Sequence, residues 1–109
     1  MSLKLIQQAI NQRKPISFEY NKEGKVKGER IGNPHAIFIM RKKDNSESTK
    51  VHLVQTEGVT DSGKGFNEFR MFDIVEISNV HIIDDSSPFD IHPDYNPTWT
   101  GYASVIEKV

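Results

Sequence analysis

The stretch Phe69-Arg70-Met71-Phe72-Asp73-Ile74-Val75-Glu76-Ile77-Ser78-Asn79-Val80-His81-Ile82-Ile83 decides the fold. Successive side chains of an extended strand alternate across the pleat, so Phe72 and Ile74 share one face. Ile77, Val80 and the pair Ile82/Ile83 restart the apolar pattern after Glu76. Ser78-Asn79 is predicted as a turn into a further strand. Arg70 falls on the Phe72 face of the same alternation. A cation there has two readings: an edge residue snorkelling its head group into water, or a basic group held over a ligand surface.

The rest of the chain supplies partners for these strands. Ser2 is predicted to cap a helix over residues 3 to 13, with Leu3, Ile6 and Ile10 on one face and Lys14-Pro15 ending it. Ile16-Ser17-Phe18-Glu19-Tyr20 alternates cleanly, and Asn21 to Lys25 reads as a hairpin turn. A second strand is predicted from near Val26, with Pro34 marking an edge or a bend. His35 to Met40 is apolar on both faces, as a strand covered on two sides would be. Arg41-Lys42-Lys43 opens a polar loop through Lys50, Val51 to Thr56 forms another strand, and Gly58 to Gly65 is a glycine-punctuated connection. The predicted core is Phe18, Ile37, Leu53, Phe72, Ile74 and Ile82. Asp84 to Pro88 reads as a linker, dividing residues 1–85 from a Pro- and aromatic-rich tail, 86–109. Pro88, Pro93 and Pro97 exclude a regular helix before Trp99. Tyr95, Trp99 and Tyr102 are predicted to dock over an apolar patch, with partner contact or base stacking as the other reading. Residues 101–109 close the chain as a short helix or strand.

A chain of 109 residues builds one modest core. Its net charge of −1 provides no global basic field to attract nucleic acid. The absence of cysteine excludes disulfides, thiolate zinc sites and cysteine nucleophiles. No apolar run approaches the roughly 20 residues of a membrane span, and no secretory hydrophobic segment opens the chain. The expectation is therefore a cytoplasmic protein without membrane contact.

The run R-x-F-x-I-x-x-I-x-x-V-x-I-I, from Arg70 to Ile83, resembles the C-terminal signature of WYL domains, whose pattern is approximately R-x-F-R-L-D-R-I before a hydrophobic strand. Arg70, Phe72 and Ile77 match, and Ile74 replaces the Leu. The two further family arginines fall on Asp73 and Glu76, and the family Asp on Val75. Ala9-Ile10 through Arg13, Pro15-Ile16, Phe18 and Tyr20 resemble the opening of the same family. Arg30-Ile31-Gly32-Asn33-Pro34 is similar to its R-x-V-x-P, with Gly32 at the apolar position. Val51-His52-Leu53 occupies the place of the Trp-Tyr-Leu that names it. The resemblance implies a mainly β fold: a small Sm-like, SH3-type barrel of about five antiparallel strands with one N-terminal helix. It also implies a sensing or regulatory module that recognises an anionic ligand or nucleic acid through basic residues. No helix-turn-helix is expected beside it, because the only convincing helix is the first one.

Other constellations carry less. Gly58 to Gly65 spells G-x-x-x-x-G-K, but Gly65 stands where a P-loop needs its Ser/Thr hydroxyl, and a strand follows where a helix is required. His81, Asp84, Asp85, Asp90, His92 and Asp94 match no metal-ligand spacing. His35 and His52 are placed on separate strands, where convergence with Asp73 or Glu76 is an open option. No serine sits in a nucleophile elbow, so no enzyme, cofactor or metal is expected. The candidate binding residues are Arg70, Arg30, Arg41, Lys50 and His52, for an anionic ligand or single-stranded nucleic acid. Arg70 and Arg30 lead because both match family positions, with Glu19 or Glu68 as internal carboxylates for Arg70. The alternative is a protein-interaction module assembling as a homo-oligomer, which the acidic Asp73 and Glu76 favour.

Overall fold

A computed structural model describes residues 2–61 and 65–109 of the chain. The helix α1 spans Ser2–Gln12 and buries Ile6, Ala9 and Ile10, with Leu3 packed at the margin. Ser2 does not cap it. Its hydroxyl instead donates to the Ile77 carbonyl at 3.0 Å, tying the helix start to a strand. The C-terminus closes when Lys14 N–H reaches the Ala9 carbonyl and Arg13 N–H the Ile10 carbonyl, with Arg13 left-handed at φ 53°. This paired capping arrangement ends the helix directly before Pro15.

The strands are β1 (Ile16–Tyr20), β2 (Glu29–Arg41), β3 (Glu47–Gly58), β4 (Glu68–Asp73), β5 (Ile77–Ile82) and β6 (Val105–Lys108). All pairings among them are antiparallel, in the order β4-β3-β2-β1-β5, with β6 added to β2. The fold is thus mainly β with one N-terminal helix, as expected. The expected barrel does not close. β4 and β5, the two ends of the strand path, are joined by a 3₁₀ turn at Ile74–Glu76 and do not pair with each other among the described residues.

Several predicted boundaries shift. The two strands expected on either side of Pro34 are one bent strand. Proline has no N–H to donate, yet β2 runs through it with a bulge between Pro34 and Ala36. The bend lets one edge of β2 pair first with β1 (Glu29–Gly32) and then with β6 (Ala36–Phe38). β2 begins at Glu29 rather than Val26, because Val26 N–H bonds the Asp61 carboxylate instead of a ladder. The basic loop is shorter than expected, since β3 starts at Glu47 and carries Lys50 within it. The turn expected at Ser78-Asn79 lies at residues 74–76, and β5 passes through left-handed Asn79 (φ 51°), where its register to β1 shifts. Ile74 therefore leaves the strand. Ile74 and Ile82 are only partly buried against the core, whereas Phe18, Ile37, Leu53 and Phe72 are within it as predicted.

Two cores flank the β2–β3 ribbon. Ile37, Val51 and Leu53 face the first, with Ile16, Phe18, Tyr20 and Phe72 under α1. Phe72 meets Phe18 and Tyr20 edge-on at ring separations of 5.3 and 4.7 Å. Each such buried side chain contributes about 1.5–3 kcal/mol relative to exposure. Ala36 and Phe38 face the other way, onto Tyr102, with Tyr95 and Met40 at the edge. The two-sided apolar character of residues 35–40 follows: one side meets the helix-covered core, the other the docked C-terminal aromatics. Residues 86–109 thus join the fold by their rings and by β6.

Candidate anion-binding cleft

A cleft of about 320 Å³ opens where the β1–β2 connection approaches β4. Its cations are Lys22, Lys25, Lys50 and Arg70, against the carboxylates of Asp61 and Asp73. Asp73 ends β4, where its N–H donates to the Tyr20 hydroxyl at 3.0 Å. Both Lys22 and Lys50 bond its carboxylate. Burial alone would raise the Asp73 pKa, but those two ammonium groups hold it below the ordinary carboxylate range. Asp61 is likewise lowered: burial opposes ionisation, and Val26 N–H and the Arg30 guanidinium outweigh it.

Arg70 and Arg30 come close together, although they are not on neighbouring strands as expected: β3 lies between β2 and β4. Arg30 is fully buried. Its guanidinium donates to Gln55 Oε1 (3.3 Å), the Val26 carbonyl (3.0 Å) and Asp61 Oδ1 (3.2 Å). It also lies 5.9 Å from the Tyr20 ring centre and 5.6 Å from that of Phe72. This is an internal clamp, closed to a ligand. Arg70 differs in lining the cleft. Its Nη2 donates to the Gly65 carbonyl, while its buried Nη1, like Arg30 Nε, has no hydrogen-bond partner among the described residues. Burial, and then the like charge of Arg30, lower its pKa, against the pull of Asp61 and Glu68. Neither Glu19 nor Glu68 makes a hydrogen bond to it; Glu19 accepts from Asn79 instead.

The other candidates separate. Lys50 lines the cleft. Arg41 is at the far end of the β2–β3 hairpin, exposed and paired with Glu47 at 3.2 Å. His52 sits in the aromatic cluster, its Nδ1 bonded to the Tyr102 hydroxyl at 2.7 Å and its ring stacked on Trp99 at 5.1 Å. His35 bonds the Asn33 carbonyl through Nδ1 at 2.8 Å and accepts the His92 N–H through Nε2 at 3.1 Å. Neither histidine meets Asp73 or Glu76. No group of three or more His, Asp or Glu among the described residues is placed to hold a metal. The G-x-x-x-x-G-K run falls partly on residues 62–64, outside the described residues.

Lys22, Lys25, Asp61 and Asp73 were missed as cleft residues. The first two looked like turn residues and Asp61 like part of a glycine loop; only the chain's return path brings them together. A larger cleft, about 590 Å³, lies between the β2–β3 ribbon and residues 83–93. Among the described residues its lining includes Glu57 and Asp90 and no lysine or arginine, in contrast to the smaller cleft. No helix among the described residues is long and apolar enough to cross a membrane. Comparison with protein-family models, curated proteins and solved structures finds no match for this chain.

Proposed function

We propose that this chain is a WYL-like binding and regulatory module that recognises the phosphate groups of an anionic ligand, such as a short single strand of nucleic acid, in the Arg70–Lys50 cleft. The observation that carries the reading is the buried Nη1 of Arg70, without a hydrogen-bond partner among the described residues, beside a cleft lined by four cations and two carboxylates. An unsatisfied buried donor costs about 1–3 kcal/mol, which an anion accepting from it would recover. Guanidinium geometry favours bidentate contact with phosphate or carboxylate oxygens. Lys22 and Lys50 can exchange their bond to Asp73 for one to the ligand. Arg30 supplies field from beneath without contact.

Fluorescence anisotropy of a labelled single-stranded oligonucleotide across a salt series tests this. Arg70→Ala is expected to weaken binding about tenfold to a hundredfold, the equivalent of 1.5–3 kcal/mol, and more at low salt than at high. Inorganic pyrophosphate should compete. No wild-type binding at low salt, or Arg70→Ala binding unchanged while folded by circular dichroism, refutes the assignment.

One observation favours assembly as a second reading. Val75 is 84 % exposed beside Leu3, Ile74 and Ile77, an apolar patch at the 3₁₀ turn. Sedimentation of wild type and Val75→Asp distinguishes them: a dimer that the substitution dissolves supports assembly.

A further inference from the structure

On the far side of the sheet from the first core, five rings line a cavity of about 230 Å³. His52 and Tyr102 form its base, 5.5 Å apart edge-to-face. From that base His52 reaches Trp99 at 5.1 Å on one side and Phe69 at 6.0 Å on the other. Tyr95 lies 6.5 Å from Phe69 and 6.3 Å from Tyr102. Among the described residues, Trp99 makes no ring contact with Phe69 or Tyr95, and the cavity is the gap between these two walls. Gly101 holds the Trp99 wall in place: a Cβ there would run into the indole's six-membered ring.

Charge selects the occupant. Among the described residues the lining contains Asp94 and no lysine or arginine. Asp94 is 84 % exposed at its side chain, and its only ionic neighbour among the described residues is His92 at 3.9 Å. The His92 ring accepts the Asp94 N–H through Nδ1 (3.1 Å) and bonds the Asn67 carbonyl through Nε2 (2.8 Å). At 3.9 Å the His92 ring is beyond hydrogen-bond distance of the Asp94 carboxylate. His52 adds no positive charge in its neutral form, the form that burial favours. Lys108 Nζ, bonded to the Pro97 carbonyl at 2.6 Å, lies 5.9 Å from the Tyr102 ring centre, outside the cavity lining. Aromatic faces attract cations through their quadrupoles, and alkylated ammonium groups lose little hydration on entering such a cage.

We infer that the Trp99–Tyr95–Phe69 cavity is an aromatic cage for a quaternary or methylated ammonium group, with Asp94 as its counter-charge. The group is borne either by a small choline-type molecule or by a methylated lysine of a peptide. The carboxylate disfavours an anion, and the lining shares only Phe69 with the Arg70 cleft.

Trp99 is the only tryptophan and reports directly on occupancy. Its fluorescence is titrated with choline, with the neutral carbon isostere 3,3-dimethylbutan-1-ol, and with trimethyl-lysine and unmodified lysine peptides, at about pH 8 and low salt. Choline is expected to saturate in the millimolar range and about tenfold more tightly than its isostere, as a cation–π contribution of about 1.4 kcal/mol implies. Asp94→Asn should weaken choline several-fold and leave the isostere unchanged, and Gly101→Ala should weaken both by displacing the indole. Whichever of choline and trimethyl-lysine peptide binds more tightly identifies the source. Equal affinity for choline and isostere, no saturable response to about 100 mM choline, or a response to adenosine alone overturns the cage. The last would make the gap a base-stacking slot. Asp94→Asn is on the rim and keeps the test valid should Gly101→Ala fail to fold.

Discussion

Replacing Arg30 with methionine tests whether its guanidinium is a structural clamp or a ligand contact. Methionine fills much of the same volume, so the change isolates the charge and its hydrogen bonds from a cavity cost. Three charge-assisted bonds disappear, to Gln55, Val26 and Asp61, each worth about 1.5–3 kcal/mol. The full sum overstates the loss. Asp61 keeps the Val26 N–H, and the Gln55 amide nitrogen keeps the Glu57 and Val59 carbonyls. Removing the buried cation also relieves its desolvation. Gln55 Oε1 and the Val26 carbonyl remain without the donor, and Asp61 is left without its cation. One-sided breakage of a buried pair costs about 3–5 kcal/mol, a large part of the 5–15 kcal/mol typical of a domain. At roughly 4–8 °C per kcal/mol, the melting midpoint should fall by more than about 10 °C. Urea denaturation followed by circular dichroism and by Trp99 fluorescence measures the loss. An Arg30→Met midpoint equivalent to wild type within about 0.5 kcal/mol, combined with weakened oligonucleotide binding, would refute the clamp and return Arg30 to the ligand surface.

Acid should destabilise the fold well before carboxylates titrate. Burial lowers the pKa of both His35 and His52, so below about 6.5 the unfolded chain binds protons that the folded chain does not. This stability is complete above that pH and is lost as pH falls below it; urea midpoints at about pH 8 and 5.5 should differ, and His52→Phe should reduce the difference. Gly58→Ala places a Cβ against the Glu29 carbonyl at a residue with φ 95°, which is expected to cost about 2–4 kcal/mol in thermal melting. The Tyr102 phenol is pushed up to about 12 by burial, with the Tyr95 charge adding to it. Burial raises Tyr20 and Tyr95 as well, so an ultraviolet titration should show tyrosine still protonated near pH 11, and Tyr102→Phe should reduce the amplitude of that late phase.

Alternation made the strands legible, and periodicity the helix, because both depend only on which neighbours are apolar. The buried face of β1 and the burial of Phe72, Ile37 and Leu53 follow from that pattern alone. Where the chain departs from a straight strand, the pattern misleads. Pro34 marks a bend as expected, but inside one strand: the bulge before Ala36 absorbs its missing donor and the ladder continues. Ser78-Asn79 has the composition of a turn, yet Asn79 tolerates a left-handed conformation inside β5. Arg70 was legible as unusual, since a cation on an apolar face demands a partner. Its surroundings were not: Lys22 and Lys25 lie more than forty residues away in sequence yet line the same cleft, which local propensity does not encode.

The register of β4 on β3 carries both candidate sites at once. Phe69 lies opposite Val54 and Arg70 opposite Leu53, so adjacent residues of one strand point to opposite faces of the sheet. Phe69 turns to the tail, with rings of His35, His52, His92 and Tyr95 within 5.0 to 6.5 Å. Arg70 turns to Arg30 and the cationic cleft. A slip of one residue would exchange them, placing a guanidinium among buried rings and a phenyl ring in a charged cleft. Phe72, two residues on, resists that slip because it is buried between Phe18 and Tyr20 in the first core. The hydrophobic anchoring of Phe72 is therefore what separates the two surfaces, and a substitution that loosens it should damage anion and ammonium binding together.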